Sequence, residues 1–253
     1  MSLPRSILLL ATGLLLASAG ARAVTQAEVM AGAAKIYRVR IAELAHAGML
    51  SGDAAFLARV ERIAQRLREQ ARRDDPDAPA MPWEINVSTD ADDNGSCMAG
   101  GLIVLSQDYV ERLKLTDAEL AMLLSHEMQH AILLHNLKEF EEAIRLEPSW
   151  LARPFSELED AVDNNLRLET KLAASNKAQE VQADRAGLAM AWRAGWPAMA
   201  LTGYFRKLAD ARSMTSWGSS ATHPSPLQRL RAARKQAELL DVGNVGVPKP
   251  QAP

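Results

Sequence analysis

Thr116-Asp117-Ala118-Glu119-Leu120-Ala121-Met122-Leu123-Leu124-Ser125-His126-Glu127-Met128-Gln129-His130-Ala131-Ile132-Leu133-Leu134 is the stretch on which the reading of this chain turns. Thr116 and Glu119 have the spacing of a capping box, so a helix is expected to open there. Leu120, Leu123, Leu124, Leu133 and Leu134 make that helix apolar enough to lie in the core. His126 and His130 are four residues apart, which sends both side chains off one face, a turn from each other. Two imidazoles so spaced can share a metal ion about 2 Å from each nitrogen. Two ordinary surface histidines are the plainer alternative. The apolar flanks weigh against it, because unpaired polar groups in a buried helix are costly and ligation removes that cost. Glu127 lies one step round, angled away from ligation but able to take a proton from water activated by the metal.

A catalytic metal of this kind needs a third protein ligand and an open position. Glu180-Val181-Gln182-Ala183-Asp184, on a later helical stretch, offers two acids four residues apart. Glu180 is the candidate ligand, and Asp184 the acceptor that would fix the tautomer of a ligand imidazole. An acidic pair on a solvated face is the competing reading. Its position downstream of the histidines tips the choice toward ligation. A His/His/Glu set suits zinc, so one Zn2+ per chain is the expected cofactor.

The surrounding chain fits one domain. Its 253 residues are 48% hydrophobic, 24% charged and 5% aromatic, with a formal net charge of −2. There is no basic field to hold nucleic acid, and no such partner is expected. The single cysteine, Cys97, excludes an internal disulfide. Residues 1–23 read as a signal peptide: Arg5, an apolar run from Ile7 to Ala17, then Ala21-Arg22-Ala23 as a cleavage site. An uncleaved anchor is the alternative, although the run is short for a bilayer. Gly187 to Phe205 is apolar, but Arg193 and the Gly195-Trp196-Pro197 break argue for two core helices, and the mature chain is expected to lack a transmembrane span.

A mainly helical α+β fold is expected, with a small β-sheet beside the metal-binding helix. Thr25 to Arg73 is helical in pattern, with Phe56, Leu57, Val60, Ile63, Ala64 and Leu67 on one face. Trp83 to Val87 and Gly101 to Leu105 read as strands, with a turn over Asp90 to Gly95. Residues 136–176 read as a charged helical insertion within a 24–240 domain, either a solvated excursion or a lid. Helices follow over Lys177 to Trp192, over Pro197 to Ala211, and after the Ser225-Pro226 N-cap. Residues 241–253 are Pro- and Gly-rich and read as a disordered tail.

Taken together, these motifs resemble the gluzincin metalloendopeptidases of the CAAX-prenyl-protease and HtpX-like superfamily, and most of all its soluble periplasmic BepA-like branch. The likeness rests on Asn94 to Gly101, His126 to His130, Glu180 to Asp184, Gly195-Trp196-Pro197-Ala198 and Thr222-His223-Pro224, and it covers most of Asp53 to Leu239. It implies a zincin-type core with zinc on His126, His130 and Glu180, and Glu127 as the catalytic base. It also implies that Gly100-Gly101 precede an edge strand, Leu102-Ile103 onward, where a substrate chain adds by main-chain hydrogen bonds. His223 would lie near the metal, either stabilising an oxyanion or closing the open position at rest; sequence alone reads it as a loop residue. Arg229 would pair with Asp184 or the oxyanion, with a solvated charge as the alternative.

Ser96-Cys97 and Ala99 depart from the family pattern, so details of the substrate pocket do not carry over. Cys97 reads as a packed residue, with a zinc-facing thiolate as the alternative. His46 and His135 are assigned no chemistry. The function expected is an exported, periplasmic zinc endopeptidase acting on misfolded or misassembled envelope polypeptides. A chaperone or assembly factor with a retained, autoinhibited metal site and a different metal hydrolase are the competing readings.

Overall fold

A computed structural model describes residues 23–78, 81–214 and 224–243. Nearly all of the segment read as a signal peptide, most of the segment read as a tail, and His223 lie outside the described residues. The chain is mainly helical with one small sheet. Helix α1 (Gln26–His46) opens on a capping box made by Thr25 and Glu28. The long helical stretch read from sequence is divided at residues 47–53, where Gly48 takes φ +68 and Asp53 caps α2 (Ala54–Asp74). Helix α2 buries Phe56, Val60, Ile63, Ala64 and Leu67, whereas Leu57 faces solvent.

The sheet has three strands, β1 (Glu84–Ser88), β2 (Gly95–Met98) and β3 (Leu102–Ser106), in the order β1-β3-β2. β1 runs parallel to β3, and β2 antiparallel to it. This corrects the expected role of Leu102 and Ile103. β3 is the central strand, hydrogen-bonded on both sides, and Ile103 is wholly buried. It has no free edge for a substrate strand. Gly100 and Gly101 form the β2–β3 turn at φ +88 and +78, and a Cβ on Gly101 would stand 2.6 Å from the Trp83 ring. They are glycines because the hairpin needs left-handed backbone packed close to a tryptophan.

Helix α3 (Gln107–Arg112) leads into α4 (Asp117–Ile132), whose capping box joins Thr116 and Glu119. Every α4 residue from Glu119 to Gln129 is buried. The helix threads the main core between α2, β2 and α7. Leu134 then takes φ +56 and turns the chain into α5 (His135–Leu146). A short 3-10 turn (Pro148–Ala152) and α6 (Phe155–Asn164) follow. Helix α7 (Leu166–Arg193) starts eleven residues before the expected Lys177. It is capped by Asn165 and packs most extensively on α4. Between α5 and α7, Ala143, Trp150, Leu158, Ala161, Leu168 and Leu172 enclose a second apolar cluster. The charged excursion thus has an interior of its own.

Gly195, at φ +102, ends α7 before α8 (Ala198–Leu201), α9 (Gly203–Met214) and α10 (Pro226–Gly243). Helix α10 carries Asp241, Val242 and Gly243, three residues that the sequence assigns to the tail. Among the described residues, no helix is long and apolar enough to cross a membrane.

Candidate metal centre

Helices α4 and α7 cross so that the two histidines meet the later carboxylate. His126 Nε2 and His130 Nε2 are 3.2 Å apart. Glu180 Oε1 is 3.3 Å from His130 Nε2, and Oε2 is 3.6 Å from His126 Nε2. Ligands held tetrahedrally at about 2.0–2.1 Å from one ion stand roughly 3.3 Å apart. The donor set therefore fits a single divalent metal. It is also the group of metal-binding type found among the described residues, with all donor atoms within 4.8 Å of one another.

Why these atoms converge follows from the packing. Gly187, two turns past Glu180 on α7, lies against the α4 backbone at His126. Helix α7 can come that near only where it carries no side chain. Asp184, between them, reaches under the ring: its Oδ1 is 3.0 Å from His126 Nδ1. Arg229 from α10 donates from Nε and Nη2 to the two Asp184 oxygens at 2.8 and 2.6 Å, and its Nη1 is 3.7 Å from Glu180 Oε2. The guanidinium lies over the Phe205 ring, 5.3 Å from its centroid. Arg229 is thus a buried member of the site, paired with Asp184, rather than a solvated charge.

The electrostatics follow this geometry. Burial opposes ionisation of Asp184, but His126 and Arg229 overcome it and hold its carboxyl below the usual range. Burial likewise pulls His126 down, and the Asp184 hydrogen bond and charge more than reverse it. Glu127 has no such compensation: burial raises its pKa above the ordinary carboxylate value, and the two histidines only moderate the rise. That is the direction expected of a carboxylate that must both accept and release a proton near neutrality.

Strand β2 runs beside this helix, a strand that sequence reading passes over. Among the described residues it pairs on one side only, with β3. A Cβ on Gly95 would be 3.7 Å from Glu127 Cγ, so the strand passes close to that side chain. Cys97, also on β2, has its thiol pushed well up by burial and then by the Glu127 charge, which disfavours a thiolate there.

His135, to which the sequence assigns no chemistry, belongs to the centre. It is 1% exposed, with Nδ1 3.2 Å from His130 Nδ1 and Nε2 3.1 Å from Gln182 Oε1. Burial depresses its pKa to about 4, so it is neutral near pH 7. Five residues separate it from His130, a spacing that on an uninterrupted helix would not bring the two rings back to back. Only the Leu134 corner does so.

Residues 57–237 match a family model described as Peptidase family M48. The beta-barrel assembly-enhancing protease of Yersinia pestis is 27% identical over 169 residues, covering 62% of this chain and 35% of the relative. A putative beta-barrel assembly-enhancing protease of Vibrio cholerae serotype O1 is 27% identical over 172 residues, with the same coverage. The mitochondrial metalloendopeptidase OMA1 of Arabidopsis thaliana is 26% identical over 165 residues, covering 65% of this chain and 32% of the relative. The chain thus spans about a third of the length of these curated relatives.

Proposed function

The chain belongs to peptidase family M48, and from that premise we propose that it is a zinc metalloendopeptidase of the cell envelope that cuts misfolded or misassembled polypeptides. The observation that carries this reading is the mutual approach of His126 Nε2, His130 Nε2 and the Glu180 carboxylate at 3.2 to 3.6 Å. These three residues hold the ion. A bound zinc supplies Lewis acidity toward the scissile carbonyl and makes water acidic near neutral pH.

The protein's own groups do the rest. Glu127, buried and with a raised pKa, takes a proton from the attacking water and delivers it to the departing amine. The Asp184 carboxylate, 3.0 Å from His126 Nδ1, favours the ring proton on that nitrogen and so leaves Nε2 for the ion, while Arg229 holds Asp184 in place. Arg229 also lies near enough to Glu180 to add positive charge at the rim of the site. The side of β2 that is unpaired among the described residues, passing Glu127, is the edge to which an extended substrate adds as a fourth strand. Main-chain pairing of that kind is indifferent to sequence, as a protease of unfolded chains requires. His223, outside the described residues, enters through the Thr222-His223-Pro224 resemblance alone, which implies a side chain that would quiet the site at rest and stabilise the oxyanion during turnover.

Envelope location and misassembled substrates rest on the signal-like residues 1–23 and on the names of two relatives. The test is digestion of reduced casein by the purified chain with and without a zinc chelator, run beside Glu127→Gln. Cleavage lost with chelator, restored by zinc and absent from Glu127→Gln is the expected result. A chain whose cellular role survives Glu127→Gln is instead an assembly factor with a retained metal site.

A further inference from the structure

Helix α4 ends at Ile132, and the chain does not drift away from the site as a helix end usually allows. Leu134 adopts φ +56, ψ +40, a left-handed conformation that a γ-branched residue seldom takes, and its side chain makes no capping hydrogen bond. Such conformations persist where the surroundings over-determine them. What this corner achieves is specific. It starts α5 with His135 buried behind His130, Nδ1 facing Nδ1 at 3.2 Å, while the far nitrogen of His135 meets Gln182 Oε1 at 3.1 Å.

Only one arrangement of protons satisfies both contacts when His130 Nε2 offers its lone pair to an ion. His130 then carries its proton on Nδ1 and donates it to His135 Nδ1. His135 in turn carries its proton on Nε2 and donates it to the Gln182 carbonyl oxygen. Each donor meets an acceptor, and no proton is shared or missing. His135 cannot itself be a ligand, because it approaches the edge of the His130 ring that points away from Glu180.

Resting on the proposed zinc site, we infer that His135 and Gln182 form a neutral relay that fixes the tautomer and ring angle of His130. The two ligand histidines are thus oriented by different means: His126 by the Asp184 carboxylate, His130 by an imidazole and an amide. Helix α7 delivers all the distal parts, with Glu180 to the ion, Gln182 to the His135 relay and Asp184 to His126. His135 is a positioning residue, acting through His130 and not on the substrate.

The test measures zinc affinity by chelator competition on the purified full chain, for wild type, His135→Ala, His135→Asn and Gln182→Ala. Loss of a partner to a ligand histidine typically weakens metal binding about 10- to 100-fold, and His135→Ala is expected to fall in that range. Asparagine offers an acceptor oxygen near the lost Nδ1, so His135→Asn should recover to within about threefold of wild type. The visible spectrum of the cobalt-substituted protein should change in His135→Ala and return in His135→Asn. A merely structural role for His135 gives no such rescue.

His135→Ala that keeps its helix content and binds zinc as wild type does would overturn the relay, as would His135→Asn as weak as His135→Ala. Should His135→Ala fail to fold, Gln182→Ala decides, since Gln182 is on the surface: weakened binding supports the relay and unchanged binding overturns it. A wild-type chain without zinc affinity sinks the proposed function as well. A wild type that binds zinc and cuts casein, matched by His135→Ala in affinity, sinks the relay alone.

Discussion

Gly187 on α7 touches the backbone of His126 on α4: a Cβ at residue 187 would stand 2.9 Å from the His126 nitrogen and 3.1 Å from its Cα. Backbone atoms in mid-helix cannot swing aside as a side-chain tip can. The closeness of the two helices is therefore set at this one point, a turn beyond Asp184 and two beyond Glu180. Side chains of fixed length reach the metal-binding nitrogens only because the helices meet without an intervening methyl.

Gly187→Ala is expected to push α7 off α4. Alanine improves helix propensity by about 1 kcal/mol, but overpacking against rigid backbone costs about 1–3 kcal/mol. The net should be a lower melting temperature, with zinc affinity weakened as Glu180 and Asp184 withdraw. Thermal unfolding and chelator competition on the same sample check both. An alanine variant as stable and as zinc-avid as wild type contradicts the packing argument.

Asp184→Asn removes a charge that His126 and Arg229 both depend on. Breaking a buried ion pair by removing one partner costs about 3–5 kcal/mol, because the other charge stays buried. The freed Arg229 is expected to turn toward Glu180, 3.7 Å away, and compete with the metal for it. Zinc affinity should drop by about 10- to 100-fold. Comparing Asp184→Asn with Asp184→Asn/Arg229→Met separates the two effects: the double variant should regain stability and the share of zinc affinity lost to Arg229 at Glu180, but not the share lost because His126 is no longer oriented.

The pH dependence of the metal-free and zinc-bound forms should diverge. The folded His126 pKa is raised, so its contribution to metal-free stability is full below the ordinary histidine value of about 6.5 and is lost as pH rises through the folded value. Zinc must displace that same proton, so its affinity falls as the pH falls. Melting of the metal-free protein and zinc competition, each followed from pH 5.5 to about 8.5 across this titration, should slope in opposite directions. Both slopes should flatten in Asp184→Asn. Parallel slopes would exclude His126 as the linked group.

His223→Ala distinguishes the two roles given to that residue. Unblocking the open position should raise basal casein cleavage and self-cleavage. Complete loss of activity with zinc retained points instead to oxyanion stabilisation alone. Activity equal to wild type removes His223 from the site.

The parts of this molecule legible in its sequence are those fixed by local chemistry. The capping box at Thr116, the four-residue spacing of His126 and His130, and the Glu180–Asp184 pair can be read without knowing the fold, and all come together in it. Strand β2 could not be read so. Gly95-Ser96-Cys97-Met98 has neither alternation nor β-branched residues, and it is extended because β3 supplies its hydrogen bonds. The mistaken edge at Leu102 and Ile103 has the same origin, since strand order in a sheet is a long-range property. The start of α7 was hidden by charge, because its first turns bury only Leu168 and Leu172 against a local cluster. His135 was invisible for a conformational reason: its partnership with His130 depends on one left-handed leucine.

Zinc content per chain tests the central claim most directly, measured by elemental analysis after exhaustive dialysis of wild type, Glu127→Gln and Glu180→Ala. Wild type and Glu127→Gln should each retain one zinc, because Glu127 does not ligate, and Glu180→Ala should lose it. A wild-type chain that stays metal-free after reconstitution, or a Glu180→Ala chain that keeps its zinc as firmly as wild type, would contradict the account.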